Sequence, residues 1–91
     1  MADPILDMIK NGAKIIDVRS TEEFEDENFP NSINIPVNEL PSRLAELGDP
    51  ATPLVLYCAT GSRSAWAAHV LAKAGYKNVI NAGGLYDMPG F

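Results

Sequence analysis

The chain has 91 residues, with 46% hydrophobic and 21% charged side chains and a formal net charge of −5. This composition excludes global disorder, and the acidic balance, without any run of Lys or Arg, excludes a nucleic-acid surface. No apolar stretch approaches the roughly 20 residues of a membrane-spanning helix. We therefore expect one soluble domain over residues 1–91, with no membrane contact.

The N-terminal stretch MADPILDMIKNG carries acidic residues and a proline where a signal peptide needs basic and then uninterrupted apolar residues. This favours a cytoplasmic location, and a periplasmic one stays open if a leader has been removed. The single cysteine and single histidine cannot form an intramolecular disulfide or a Cys/His zinc cluster. We expect no metal and no cofactor.

The first half of the chain alternates helix and strand signals. Asp3 and Pro4 are typical of a helix start, and Gly12 of its end. KIIDV indicates a short buried strand, because its branched apolar residues run together. STEEF has the spacing of a capping box, which opens a short helix, and SINIP is predicted to be a brief strand.

The same alternation continues in the second half. SRLAEL is predicted to be a helix ended by Gly48, and LVLYC a central strand. SAWAAHVLAKAG is predicted to be a helix that stops at Gly75, with Ala65, Trp66, Ala68, Leu71 and Ala72 facing the sheet. NVIN is the last predicted strand, and AGGLYDM a glycine turn with a short helical stretch.

Alternating strands and helices predict an α/β fold. We expect a central, mostly parallel sheet of four to five strands with helices on both faces. Ligands of such sheets bind beyond the carboxyl ends of the strands. Cys58 is the last residue of LVLYC and therefore lies at that edge.

The loop after Cys58 has the composition of an anion cradle. Gly61 permits a positive φ, so that successive amides can converge on one point, and the first N–H groups of the following helix have no internal partners. A thiolate at such a helix start has a lowered pKa. Arg63 adds a cation, and the hydroxyls of Ser62 and Ser64 are suited either to capping the helix or to contacting an anionic ligand.

At these residues the sequence resembles the rhodanese-like sulfurtransferases. CATGSRS is similar to their active-site loop, IIDVRSTEEF to their first strand and helix, INIP to their second strand, and YKNVINAGGLYDM to their closing strand and double glycine. The agreement covers about residues 13 to 88 in the family's order. The resemblance implies a single rhodanese-like domain.

It also implies a mechanism. Cys58 takes a sulfane sulfur from thiosulfate or from a persulfide or polysulfide, holds it as a persulfide, and passes it to cyanide or a thiol. The cradle that the resemblance implies for binding the substrate consists of Ala59, Thr60, Gly61, Ser62, Arg63 and Ser64. Asp17 and Arg19 match the family's Asp-Val-Arg and are expected to be a supporting pair, with Arg19 holding Glu23, although a plain structural ion pair stays open.

The expected partners are a small sulfur-containing anion as donor and a thiol or cyanide as acceptor, a thioredoxin-like protein being one candidate. The sequence departs from the family in ENFPNS, where members usually show Gly-His-Ile-Pro-Gly-Ala, and at Met88, where tryptophan is frequent. The loop also lacks additional basic residues. We therefore expect weak affinity for thiosulfate.

The sequence fits three other functions less well. Phosphatases and arsenate reductases of related fold place five residues between Cys and Arg, whereas four separate Cys58 from Arg63. A Cys–His hydrolase is disfavoured because His69 would lie roughly 10 Å along the helix from its start. A non-catalytic rhodanese module that binds a partner would typically have lost the cysteine.

Overall fold

Four parallel strands form one sheet in the computed structural model, which describes residues 3–91. They are β1 (Lys14–Asp17), β2 (Ile33–Asn34), β3 (Leu54–Cys58) and β4 (Val79–Gly84). The order across the sheet is β2-β1-β3-β4, and each neighbouring pair is parallel. The expected α/β fold with a parallel sheet is confirmed.

Residues 3–91 contain three α-helices, which begin where the sequence predicts helix starts or close by. They are α1 (Pro4–Lys10), α2 (Thr21–Asp26) and α3 (Ser62–Lys73). Asp3 caps α1 by accepting hydrogen bonds from two backbone N–H groups at 3.0 and 3.2 Å. Ser20 and Glu23 form the predicted capping box of α2. No helix among residues 3–91 has the length and apolarity needed to cross a bilayer.

Two predicted elements differ from the structure. SRLAEL does not form one helix but is part of two 3-10 helices, Leu40–Ser42 and Leu44–Leu47, and no side chain caps the start of either. So short a segment without a cap does not sustain an α-helix. The last strand runs beyond NVIN to Gly84, because Cys58 pairs with Gly84 after an irregularity in the β3–β4 register.

The sheet is covered on both faces, as expected. On one face Leu54, Leu56 and Cys58 pack with Ala67 and Leu71 of α3. On the other, Val55 and Tyr57 pack with residues of α1 and of the C-terminal segment.

The predicted inner face of α3 is partly wrong. Ala65, Ala72 and Trp66 are exposed, the last by 60%, and Ser64, Ala67 and Leu71 are buried instead. These three residues follow one another at intervals of three and four, which is the spacing of one helix face.

Candidate active site

Cys58 is the last residue of β3, and three residues separate it from the start of α3. Gly61 adopts φ 105°, in the left-handed region, and is the residue at which the chain turns into α3. The side chain of Cys58 is fully buried. Its sulfur therefore lies buried between the end of β3 and the start of α3.

Backbone donors converge on this sulfur. The N–H of Gly61 donates to Sγ at 2.9 Å and that of Ser64 at 3.4 Å, and the hydroxyl oxygen of Ser64 also lies 3.4 Å away. Burial raises the pKa of the Cys58 thiol, but the hydrogen bonds from Ser64, Gly61 and Thr60 outweigh burial and hold this pKa below its usual value. The arrangement favours the thiolate, which is the nucleophilic form.

The double glycine of β4 lets the loop approach the sheet closely. A Cβ at Gly84 would overlap the carbonyl oxygen of Ala59. A Cβ at Gly61 would lie 3.4 Å from the Cα of Gly83, itself at φ 97°. A side chain at Gly84 would push the loop away from the strand and displace its amides, whereas at Gly61 the left-handed φ, and not lack of space, requires glycine.

Asn81 of β4, which the sequence reasoning missed, ties the loop to the strand. Its Oδ1 accepts from the Ser64 hydroxyl at 2.6 Å and from the N–H of Gly83 at 2.9 Å. Its Nδ2 donates to the carbonyl of Gly61 at 3.2 Å. The available signal was a polar residue near the carboxyl end of a predicted strand, at the same sheet edge as Cys58.

Arg63 points its guanidinium at Glu23 of α2. Two parallel hydrogen bonds of 2.7 and 2.9 Å join them, and the side chains are 38% and 36% exposed. The hydrogen bond from Arg63 is the main cause that lowers the pKa of Glu23 to about 2. The expectation that Arg19 holds Glu23 is therefore wrong.

Arg19 is instead paired with Asp17 inside the protein. Its Nε and a terminal nitrogen donate to the two carboxylate oxygens at 3.0 and 2.7 Å, and the residues are 6% and 0% exposed. The Arg19 guanidinium also lies 5.6 Å from the ring centroid of Tyr57 and donates to the backbone carbonyl of Glu27. These contacts are those of a buried structural ion pair, and a supporting role of Asp17 and Arg19 in catalysis stays a prediction.

The remaining cradle residues lie on the surface. Ala59, Thr60 and Ser62 are exposed, whereas Ser64 is buried. Helix α3 begins after Gly61 without any side-chain cap, so of the two roles left open for Ser62 and Ser64 the capping one is not observed. Whether these residues contact a ligand stays a prediction.

His69 stacks on Trp66 along α3, with ring centroids 5.7 Å apart, as expected of an ordinary residue on the helix face. Within residues 3–91, no group of three or more His, Cys, Asp or Glu side chains is placed to hold a metal ion.

The residues that depart from the family pattern make contacts of their own. The hydroxyl of Tyr57 accepts from the N–H of Phe29 and lies 3.0 Å from the hydroxyl of Ser32. Asn31 adopts φ 66°, a conformation that asparagine tolerates better than most residues. Met88 is buried in the core on the α1 side of the sheet.

Comparison with known proteins gives one consistent result. A family model described as "Rhodanese-like domain" matches residues 1–87. Thiosulfate sulfurtransferase PspE of Escherichia coli is 39% identical over 74 residues, which cover 80% of this chain and 71% of the relative. The putative sulfur carrier protein YrkF of Bacillus subtilis is 39% identical over 67 residues, but they cover only 36% of that longer protein. A solved structure of a rhodanese with anions from E. coli superposes with a TM-score of 0.81 at 37% identity, covering 86% of this chain and 93% of the other.

Proposed function

The chain belongs to the rhodanese-like domain family, and from this membership we propose that it is a sulfurtransferase that carries sulfane sulfur on Cys58. The convergence of the Gly61 and Ser64 amides on Sγ is the observation that carries the proposal. Relatives named as sulfurtransferases support it.

The reaction consists of two displacements at sulfur. The Cys58 thiolate attacks the outer sulfur of the donor, a new S–S bond forms, and the donor's own S–S bond breaks with its electron pair. From thiosulfate the leaving group is sulfite, and from a persulfide it is a thiolate. The acceptor thiolate, or cyanide, then attacks the outer sulfur of the Cys58 persulfide and restores the thiolate.

The loop residues Ala59 to Ser64 have the role of a cradle for the persulfide anion. Amides that already face Sγ are fixed in place before the negative charge moves to the outer sulfur. Arg63 orders the loop through Glu23. Because Cys58 is fully buried, the donor reaches its sulfur only after a local movement of the residues around it.

The charges around the loop disfavour a dianionic donor such as thiosulfate and suit a persulfide of low net charge better. A groove of about 390 Å³ beside Arg63 is lined by Ser20, Thr21, Glu22 and Glu39 among others. Its carboxylates repel a dianion, and the charge of Arg63 is offset by Glu23. The acceptor is a thiol or cyanide, and a thioredoxin-like protein is one candidate because the chain has no second cysteine to take the sulfur.

The test is the intact mass after incubation with each donor. We expect a gain of about 32 Da, one sulfur atom per chain, that cyanide removes. Cys58→Ser must show no gain, since no other cysteine is present. If wild type and Cys58→Ser give the same masses with thiosulfate and with polysulfide, the protein is a non-catalytic module.

A further inference from the structure

Ser64 has one hydroxyl proton and several acceptors within reach. Its Oγ lies 2.6 Å from Asn81 Oδ1, 3.1 Å from the carbonyl of Gly61 and 3.4 Å from Cys58 Sγ. The hydroxyl donates its hydrogen bond along the shortest of these contacts. In the thiol form the hydroxyl therefore donates to Asn81, and its oxygen is free to accept from the S–H of Cys58.

Ionisation of Cys58 reverses that preference. A thiolate is a charged acceptor, and a donor that turns toward it makes the stronger hydrogen bond. Asn81 Oδ1 is not left unsatisfied when the hydroxyl turns, because the N–H of Gly83 still donates to it at 2.9 Å. The Nδ2 of Asn81, bonded to the Gly61 carbonyl, keeps the loop in place in both states.

We propose that Asn81 is a positioning residue that governs the ionisation of Cys58 through Ser64. In the thiol form the hydroxyl of Ser64 donates its hydrogen bond to Asn81, and in the thiolate and persulfide forms it turns and donates to the sulfur. The extra residue in the β3–β4 register lies next to Asn81, between the pairs Leu56–Asn81 and Cys58–Gly84. Irregularities of this kind re-aim side chains beside active sites. The inference rests on the proposed role of Cys58 as nucleophile.

Other charged groups surround the site and must stay constant in a test. They are Asp17 and Arg19 at the end of β1, Glu23 on α2, Arg63 on α3 and Asp87 after β4, whose carboxylate accepts from the N–H of Gly84. Changing Asn81 alters none of them. Asn81 is exposed, so a carboxylate there stays solvated. Asn81→Asp also loses the hydrogen bond from Nδ2 to the Gly61 carbonyl, and a double-mutant cycle with Ser64 cancels this loss because it occurs in both backgrounds.

The experiment is a double-mutant cycle of Asn81→Asp and Ser64→Ala, read out as the pH dependence of iodoacetamide alkylation of Cys58. The carboxylate of Asn81→Asp lies within about 6 Å of the sulfur and is exposed, so its direct charge effect in a water-like dielectric raises the pKa of Cys58 by only about 0.5. Its firmer hold on the hydroxyl proton of Ser64 adds about 1 to this rise, because a hydrogen bond to a carboxylate is stronger than one to an amide. In the Ser64→Ala background the rise falls to less than half, because only the direct charge effect remains.

Asn78→Asp is the matched control. Asn78 is exposed, precedes β4 at its opposite end and also donates its amide to a backbone carbonyl, that of Ala51. Asn78→Asp should leave the pKa of Cys58 unchanged. Asn81→Leu replaces Asn81→Asp in the cycle if the latter does not fold, and any shift it causes must likewise be at least halved without Ser64.

A shift at position 81 that is the same with and without Ser64, or no shift at all, overturns the inference. The readout requires no sulfur donor. A chain that alkylates as expected but never gains sulfur would contradict the proposed function and leave the role of Asn81 intact.

Discussion

Glu23→Gln should improve the use of thiosulfate. Glu23 offsets the charge of Arg63 through hydrogen bonds of 2.7 and 2.9 Å. Glutamine has the same shape and still serves the capping box of α2, since Gln is accepted at that position. The substitution therefore removes the charge that offsets Arg63, and the Oε1 of the glutamine still accepts one hydrogen bond from Arg63, so the loop stays ordered.

The size of the effect follows from Coulomb's law. Two negative charges on the donor at about 6 Å from a freed guanidinium, in a water-like dielectric, gain about 1.4 kcal/mol, which is about tenfold in kcat/KM. Loss of the ion pair destabilises the fold by at most about 1 kcal/mol, because both side chains are more than a third exposed and solvent screens the pair.

The assay compares kcat/KM for thiosulfate with that for cysteamine persulfide, whose ammonium group leaves it without net negative charge. Glu22→Gln is the control, because Glu22 is the exposed neighbour that lines the same groove and its loss changes the net charge equally. We expect Glu23→Gln to raise the thiosulfate-to-persulfide ratio about tenfold, and Glu22→Gln to change it much less. Equal effects of both variants, or a fall in thiosulfate use with Glu23→Gln, would refute the reasoning.

Four further predictions concern stability and access. The lowered pKa of Glu23, about 2, means that its ion pair stabilises the fold above pH 4.5 and that this contribution is lost as the pH falls toward 2, so urea unfolding of Glu23→Gln and wild type should converge in acid. Asp17→Asn leaves a buried Arg19 without its counter-ion and should lower the free energy of unfolding by about 3–5 kcal/mol; a loss under 1 kcal/mol would show that the pair is not structural. Gly84→Ala, at an ordinary φ of −93°, should slow persulfide loading at least about tenfold for steric reasons alone, and normal loading would contradict the close approach to Ala59. In urea titrations the variant Asn31→Gly should be about 1 kcal/mol more stable than the variant Asn31→Ala, because residue 31 has φ 66°; equal stabilities would argue against that conformation.

Signals that lie close together in the sequence predicted their elements well. The caps at Asp3 and Ser20 placed the starts of α1 and α2, and the apolar run before Cys58 placed β3. Each depends on residues within one turn or one strand, so a single sequence contains the whole pattern. Cys58 at a strand end before a glycine loop was predictable for the same reason.

Partnerships across the fold were not predictable. Arg63 contacts Glu23, 40 positions earlier, and Ser64 contacts Asn81, 17 positions later. The pairing of Asp17 with Arg19, two positions apart, was expected, whereas the contact expected between Arg19 and Glu23 does not form because Arg63 binds Glu23. The length of β4 depends on the register with Cys58, which no local pattern specifies.

The central claim is that Cys58 itself carries sulfur between donor and acceptor. Its most direct test loads the protein with thiosulfate or polysulfide labelled in the sulfane sulfur, removes excess donor, adds glutathione and follows the label by mass spectrometry. We expect one label per chain on the peptide that contains Cys58, and its transfer to glutathione as a persulfide. Label that never attaches to this peptide, or that stays on it in the presence of excess thiol, would contradict the account.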